Sequence, residues 1–230
     1  MSCLTVRRLK KSEAEKAFCV HSQVWGKQGE DATKVISRET ISHHLKHNPC
    51  FQFAAFLSEG GAEKLVSAVT TCRFQLNNMD ESSLEVLPHE DLPLHYEEYA
   101  KAKGKGNAVG CFIISSLDEG RKAKAAREIM KAVLDKARGE GVKHVFAVST
   151  PRGLSKSLGK GEGYVASFRE IAEYLKEESD RVIHGFHCAL GGKVVKIIPG
   201  GRPIGFGGNG ALVLVKYDLR KKTGCWNCSR

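Results

Sequence analysis

The feature that most constrains the fold is the block from residue 108 to residue 150. The apolar run "AVGCFIISS" (108 to 116) predicts a buried β-strand, and "KHVFAVST" (143 to 150) predicts the next one. Between them, Ile129, Val133 and Ala137 recur at the spacing of one helix face, which predicts a helix over 123 to 138. A strand, a helix and a second strand in this order indicate a layered α/β domain.

The remaining pattern extends this block into a mixed sheet with flanking helices. A strand is predicted over 4 to 8, then a helix over 11 to 24 opened by Ser12, with Glu15 at the spacing of a capping box. A second helix is predicted over 38 to 46 after a Ser37 cap. Further predictions are a hairpin of 51 to 57 with 64 to 74, a loop over 152 to 163, a helix over 167 to 178, and strands over 193 to 199 and 210 to 219.

This order of elements predicts one mixed α/β (α+β) domain, with a mixed central sheet flanked by helices, over residues 1 to 222. Residues 75 to 107 lose the pattern of strands and helices and are predicted to be an irregular insertion. Residues 223 to 230 are predicted to be a mobile tail.

The net charge of +10 points to an anionic partner, such as a nucleotide cofactor, a nucleic acid or an acidic carrier protein. No aromatic residues alternate with the lysines, so the stacking platform of a single-strand binder is missing and nucleic acid is disfavoured. A noncatalytic basic module that binds RNA or an acidic protein remains the alternative from another functional class.

The eight cysteines are scattered, which predicts reduced thiols in an intracellular, cytoplasmic protein. Cys225 and Cys228 form a lone CxxC pair without a second pair at zinc spacing, so no metal site is predicted. The amino terminus has no apolar signal region and no apolar run reaches 18 residues, so neither secretion nor a membrane span is predicted.

The segment "SSLDEGRKAKAAREIM" (115 to 130) places a glycine and four bases where the helix should begin. The helix dipole already makes that end positive, so clustered cations there would repel it unless an anion binds. Free N–H groups at a helix start together with cations form an anion site, whereas a solvated basic helix face is the alternative. The residues concerned are Gly120, Arg121, Lys122, Lys124 and Arg127.

The 108 to 150 block and the order of elements resemble the GNAT acyltransferase fold. In that fold the strand before the basic loop offers backbone N–H groups to the coenzyme A arm, a role that the resemblance assigns to Ile113, Ile114 and Ser115. The loop and helix start hold the pyrophosphate in a pattern of Arg or Gln, two residues, Gly, one residue, and Gly or Ala. The matching residues here are Arg121, Lys122, Ala123, Lys124, Ala125 and Ala126, with Lys124 in place of the first glycine.

Four further motifs are similar to malonyl-CoA decarboxylase and to the GNAT-like chain-initiation domains of polyketide assembly lines. In the latter, a His shortly before a Gly-Ala pair, an Arg-Pro loop, Asn-x-Gly and a closing strand ending in Tyr are typical. The matching stretches are "HNPCFQFAAFL" (47 to 57), "STPRGLSKSL" (149 to 158), "GFHCALGG" (185 to 192) and "IIPGGRPIGFGGNGALVLVKYDL" (197 to 219). Gly192 stands where Ala is usual.

The resemblance implies that Thr150 and His187 carry the chemistry and that Arg202 binds or orients the acyl group. Ser149 could take the place of Thr150, and His184 that of His187. Without the resemblance, His187 would suit a core histidine and Thr150 a strand end before a proline.

The implied activity uses a coenzyme A thioester, acetyl-CoA or malonyl-CoA, without a metal. It is malonyl-CoA decarboxylation or acyl transfer to a carrier thiol, with an acidic acyl carrier protein as the expected partner. Acetyl-CoA-dependent N-acetylation of an amine is the alternative reaction, because it requires the same coenzyme A cradle.

Overall fold

A computed structural model describes residues 3 to 26, 36 to 75, 106 to 161, 163 to 177, 180 to 201 and 208 to 220. Arg202, nearly all of the predicted insertion and the predicted tail lie outside these residues. The strands are β1 (Cys3–Arg8), β2 (Phe53–Glu59), β3 (Ala62–Phe74), β4 (Ala108–Ser116), β5 (His144–Ser149), β6 (Gly192–Ile198) and β7 (Leu212–Tyr217).

These seven strands form one sheet in the order β1-β2-β3-β4-β5-β7-β6. The β4 and β5 strands are parallel, as their helical connection requires, whereas the other neighbours are antiparallel. The predicted hairpin is confirmed: β2 and β3 pair across a turn in which Gly60 and Gly61 both have positive φ. The mixed sheet predicted from the sequence is therefore confirmed.

Six α-helices and one π-helix connect or cover the strands in the described residues. They are α1 (Ala14–Gly26), α2 (Arg38–His47), α3 (Asp118–Lys122), α4 (Ala125–Gly139), α5 (Leu154–Leu158), α6 (Phe168–Lys176) and a π-helix (Ile183–His187). The Ser37 cap of α2 is confirmed, because its hydroxyl accepts from the Thr40 N–H at 3.1 Å. The α5 helix lies inside the stretch predicted to be a loop, so that prediction is wrong there.

The predicted capping box at the start of α1 is also wrong. A 3₁₀ turn over Lys11–Glu13 precedes α1, and the Glu13 carboxylate accepts from the Lys10 N–H at 2.9 Å. Glu15 instead pairs with Arg38 of α2 at 2.8 Å. The cap therefore lies at Lys10, two residues before the predicted cap Ser12, because Glu13 satisfies the free N–H group there.

The helix predicted over 123 to 138 is confirmed as α4, and a separate short helix, α3, which was not predicted, precedes it. Lys124 adopts the left-handed conformation (φ 56°), which ends α3 and starts α4. Gly120 lets α3 pack closely on β3, since a Cβ atom there would lie 2.6 Å from the Val66 carbonyl oxygen. The left-handed Lys124 therefore separates the short helix that packs on β3 from the longer α4.

Helices cover both faces of the sheet. The α4 residues Ile129 and Val133 are completely buried, as their spacing predicted, in the core on one face. Phe18 of α1 and Leu45 of α2 belong to the core on the other face. Cores on both faces of one continuous sheet confirm the predicted α/β class. None of the helices in the described residues is both long and apolar enough to cross a bilayer.

Candidate active site

The centre of the sheet opens where β4 and β5 part. Their ladder ends at the pair Cys111 and Ala147, although β4 continues to Ser116 and β5 to Ser149. The pairing of β4 with β3 shifts register at Phe112, which makes Phe112 a bulge residue that bends β4. A cavity of about 260 Å³ lies between the ends of the two strands.

This cavity brings together residues that the sequence placed in separate motifs. Ile113 and Ile114 line it from β4, Thr150 from the end of β5, Ala126 from α4 and His187 from the π-helix. Its remaining walls are mainly apolar side chains, including Phe112, Val148, Val182, Phe186 and Leu212. A small polar set on apolar walls is the usual composition of a ligand site.

His187 is buried, and its Nδ1 atom lies 2.6 Å from the Tyr217 hydroxyl at the end of β7. Burial lowers the pKa of His187 to about 4, so its imidazole is neutral near pH 7. His184 does not line the cavity, and its Nε2 atom donates to the Leu175 carbonyl of α6 at 3.0 Å. Of the two histidines, the structure therefore brings His187 to Thr150.

Ser149 and Thr150 both line the cavity and are both buried, at 9% and 4% exposure. Both hydroxyl-bearing residues therefore lie at the cavity wall, so the choice between them stays open. The Cys111 thiol also lines the cavity, but burial raises its pKa to about 12. Cys111 therefore stays protonated and unsuited to act as a nucleophile.

Asp180 holds the Thr150 and His187 segments together. Its buried carboxylate accepts from the Val182 and Ile183 N–H groups at 2.8 Å, which caps the start of the π-helix. The other oxygen accepts from the Gly153 N–H at 3.1 Å and from the Tyr174 hydroxyl at 2.9 Å. Sequence reasoning missed Asp180, because an Asp in a polar loop gives no signal of its distant partners.

Glycines allow the close packing around these segments. A Cβ atom on Gly153 would lie 2.1 Å from the Tyr174 hydroxyl oxygen. A Cβ atom on Gly192 would lie 2.8 Å from the His187 carbonyl oxygen and 2.7 Å from Val215. The glycine at 192, where alanine is usual in the similar domains, therefore lets the π-helix approach β6 and β7.

Trp25 and Arg152 also line the cavity, and sequence reasoning missed both. The Arg152 guanidinium lies 6.0 Å from the Trp25 ring centroid, within range of a cation–π contact. The Trp25 indole N–H donates to the buried Ser115 hydroxyl at 3.0 Å, and His21 Nδ1 lies 2.8 Å from the same oxygen. The Ser115 side chain therefore fixes Trp25, and Ser115 is not among the cavity-lining residues.

A basic groove of about 470 Å³ adjoins the cavity at the start of α4. Arg121, Lys124 and Arg127 line it together with the first helical residues, Ala125 and Ala126. Lys124 makes no side-chain cap, so the first N–H groups of α4 are available to a ligand. Ala126 and Phe186 line both the groove and the cavity, so the two adjoin.

Arg127 also links the groove to the π-helix, because its guanidinium donates to the Gly185 carbonyl at 3.0 Å. Lys122 and Ala123 lie elsewhere: they line another groove, beside Glu59, Glu63 and Glu119. Arg121 and Lys122 are consecutive residues of α3, so their side chains leave the helix about 100° apart around its axis. The structure therefore brings four residues of the predicted stretch together (Arg121, Lys124, Ala125 and Ala126) and leaves two aside.

No group of three or more His, Cys, Asp or Glu residues that could hold a metal ion occurs in the described part of the chain. Six cysteines lie in this part, and all six are free thiols. Cys3 and Cys19 are exposed, whereas Cys72 and Cys111 are buried.

Comparison of the sequence with protein families and with curated proteins finds no match. Among solved structures, the loading GNATL domain of CurA from Lyngbya majuscula is 21% identical, with a TM-score of 0.68 over 95% of this chain and 98% of that chain. The GphF GNAT-like decarboxylase in complex with isobutyryl-CoA is also 21% identical, with a TM-score of 0.68 over 94% of this chain and 100% of that chain.

Diaminobutyrate acetyltransferase EctA from Paenibacillus lautus, in complex with L-2,4-diaminobutyric acid and coenzyme A, is 10% identical. Its TM-score is 0.50 over 95% of this chain and 97% of that chain. These structural matches show that the chain has the GNAT fold, as the 108 to 150 block predicted.

Proposed function

We propose that this protein is an enzyme that binds an acyl-CoA thioester and decarboxylates a malonyl thioester, with acyl transfer to a carrier thiol as a linked step. The observation that carries the proposal is the cavity between β4 and β5, which is lined by Thr150 and His187 and adjoins the basic groove. The decarboxylase named GphF and the loading domain of CurA, which share the fold, add support by analogy.

The basic groove suits the pyrophosphate of coenzyme A. Arg121, Lys124 and Arg127 supply positive charge, and the first N–H groups of α4 supply donors at the positive end of the helix dipole. Ile113 and Ile114 lie where β4 has left β5, so their backbone could bind the extended arm that leads to the thioester. The acyl group would then lie in the cavity.

Decarboxylation breaks the bond between the carboxylate and the methylene carbon, and its electron pair moves into the thioester as an enolate. Hydrogen-bond donors at the enolate oxygen lower the barrier, and Thr150 and the neutral His187 are suitable donors. A proton then adds to carbon, so that a malonyl thioester and one proton become an acetyl thioester and carbon dioxide. The apolar walls exclude water from the carboxylate that loses its charge.

The roles of Arg202 and of an acidic carrier protein remain predictions. Arg202 lies outside the described residues, and its proposed role is to hold the malonyl carboxylate as a planar fork. The excess positive charge of the chain supports an acidic partner. A cavity with buried polar groups favours an enzyme over a noncatalytic binding module.

The test is to incubate the protein with malonyl-CoA and with acetyl-CoA separately, with and without an acyl carrier protein, and to follow the products by mass spectrometry. Malonyl-CoA should yield carbon dioxide and an acetyl thioester. Consumption of acetyl-CoA only when an amine is present would support N-acetylation instead. The decarboxylase proposal fails if the protein binds malonyl-CoA and releases no carbon dioxide under either condition.

Substitutions at His187 and Thr150 test the role of each residue in decarboxylation. The His187→Ala variant should lower decarboxylation by about 10² to 10⁴-fold, and Thr150→Val by about 10² to 10³-fold, because each loses a donor. Coenzyme A affinity should stay unchanged in both. The matched control is His47→Ala, since His47 is an exposed histidine on α2. Wild-type turnover in His187→Ala would remove His187 from the mechanism.

A further inference from the structure

Tyr217 contacts His187 from behind the cavity. It ends β7, is 1% exposed, and its hydroxyl oxygen lies 2.6 Å from His187 Nδ1. Among the described residues, the Tyr217 hydroxyl has no other hydrogen-bond partner. His187 lines the cavity and Tyr217 does not, so the Nε2 edge of the imidazole faces the cavity.

The two neutral tautomers of His187 differ in whether the Tyr217 hydroxyl finds a hydrogen-bond acceptor. A neutral imidazole carries one N–H and a phenol carries one O–H. If Nδ1 is protonated, it donates to the Tyr217 oxygen, and the buried Tyr217 proton is left without an acceptor. If Nε2 is protonated, Tyr217 donates to Nδ1 and both residues are satisfied. A buried donor without a partner is unfavourable enough to bias this choice by about tenfold to a hundredfold.

Both groups keep the protons that this count requires. Burial lowers the pKa of His187 to about 4, and burial raises the pKa of Tyr217 well above its ordinary value. Near pH 7 the imidazole is therefore neutral and the phenol is protonated. The proton positions then depend on the one hydrogen bond between the two residues.

We propose that Tyr217 is a positioning residue that holds His187 in the tautomer with its proton on Nε2, directed into the cavity. This inference rests on the proposed function, in which His187 donates to the thioester or enolate oxygen. In this tautomer Nε2 has no lone pair for a proton, so His187 cannot act as a general base toward an amine. The pair therefore favours enolate stabilisation over amine acetylation.

The direct test is the tautomer of His187 in the full chain without substrate. The chain is labelled with ¹⁵N-histidine, and long-range ¹H–¹⁵N spectra are recorded at pH 7. The signals of His187 are assigned by their loss in His187→Gln. A protonated Nε2 with an unprotonated Nδ1 is expected, and a protonated Nδ1 would overturn the proposal. Because no turnover is needed, this result is independent of whether malonyl-CoA is decarboxylated.

The variant Tyr217→Phe keeps the ring in the core and removes only the hydroxyl. The tautomer preference of His187 should weaken, and turnover of malonyl-CoA should fall by about tenfold while its KM changes by less than about twofold. Tyr164→Phe is the matched control, since that hydroxyl bonds Glu170 at 2.6 Å and does not line the cavity.

A merely structural role for the Tyr217 hydroxyl would lower the melting temperature of Tyr217→Phe but leave its tautomer as in wild type. Wild-type tautomer and turnover in a folded Tyr217→Phe would overturn the proposal. If that variant does not fold, the wild-type spectrum alone decides between the two tautomers.

Discussion

The basic groove and the cavity are adjoining parts of one site, but they are built in different ways. The groove comes mainly from one continuous stretch, Ser116 to Arg127, at the junction of α3 and α4. The cavity collects Trp25, Ile113, Thr150 and His187 from four distant parts of the chain. A local groove can be altered without moving the cavity, whereas the cavity depends on the sheet and on Asp180.

The largest expected effect is the loss of coenzyme A affinity when positive charges in the basic groove are reversed. The double variant Arg121→Glu with Lys124→Glu should weaken coenzyme A binding by at least about 100-fold, because two reversed charges would face the pyrophosphate. Isothermal titration calorimetry measures this change. The control is Lys122→Glu with Lys143→Glu, which makes the same change in net charge away from the groove and should lower affinity much less. Equal losses in both double variants would mean that only net charge matters.

The cavity should be more sensitive than the groove to loss of the Asp180 carboxylate. In Asp180→Asn the amide would direct a donor at the Gly153 N–H or at the π-helix N–H groups, which lowers the free energy of unfolding by about 2 to 3 kcal/mol. Urea unfolding measures this loss. Tyr174→Phe removes one of the same hydrogen bonds and should cost about 1 kcal/mol.

In a folded Asp180→Asn variant, turnover of malonyl-CoA should fall while coenzyme A affinity stays near the wild-type value. Loss of affinity with unchanged turnover would contradict the division of the site into two independently built parts.

Low pH should lower the free energy of unfolding, because three buried histidines bind protons more weakly in the folded chain than in the unfolded chain. Burial lowers the pKa values of His21, His44 and His187 to about 4 each, from an unfolded value of 6.5. Between these values the unfolded chain binds more protons, so the free energy of unfolding falls as the pH decreases from 6.5 toward 4. Each histidine contributes a slope of at most about 1.4 kcal/mol per pH unit.

Urea unfolding at several pH values tests this dependence. The His187→Gln variant should show a smaller slope than the wild type, by at most about 1.4 kcal/mol per pH unit, since one site of proton uptake is removed. His47→Gln, on the exposed surface of α2, is the comparison and should reduce the slope less, because the pKa of His47 is lowered without deep burial. An unchanged slope in His187→Gln would mean that the pKa of His187 is the same in the folded and unfolded chains.

The smallest expected effect concerns the backbone of the groove. Lys124 is left-handed, a conformation that costs most residues about 1 to 2 kcal/mol relative to glycine. Replacing Lys124 by glycine removes this conformational cost, but glycine also has more freedom to lose from the unfolded chain. The Lys124→Gly variant should therefore raise the free energy of unfolding by only about 0.5 kcal/mol. Lys131→Gly, within α4, should instead destabilise it by about 1 kcal/mol. Thermal melting distinguishes the two signs.

Local sequence pattern was sufficient for most strands, for the Ser37 cap and for the buried face of α4, because these depend on neighbours within a few residues. The same holds for the basic groove, whose cations follow one another in the chain. Lys122 is the exception, since its direction depends on how α3 docks on β3. The resemblance to GNAT-like domains added Thr150 and His187, which no local spacing singles out.

The sequence by itself determined the order of elements, the α/β class and the clustered charge at the start of α4. Only the tertiary structure decided that β4 and β5 part after Cys111, that Trp25 lines the opening, and that Asp180 joins the segments of Thr150 and His187. The physical reason is the distance along the chain over which each kind of interaction acts. Periodicity and capping act over one or two turns of chain, whereas strand separation and buried hydrogen bonds join residues that meet only after the sheet has formed.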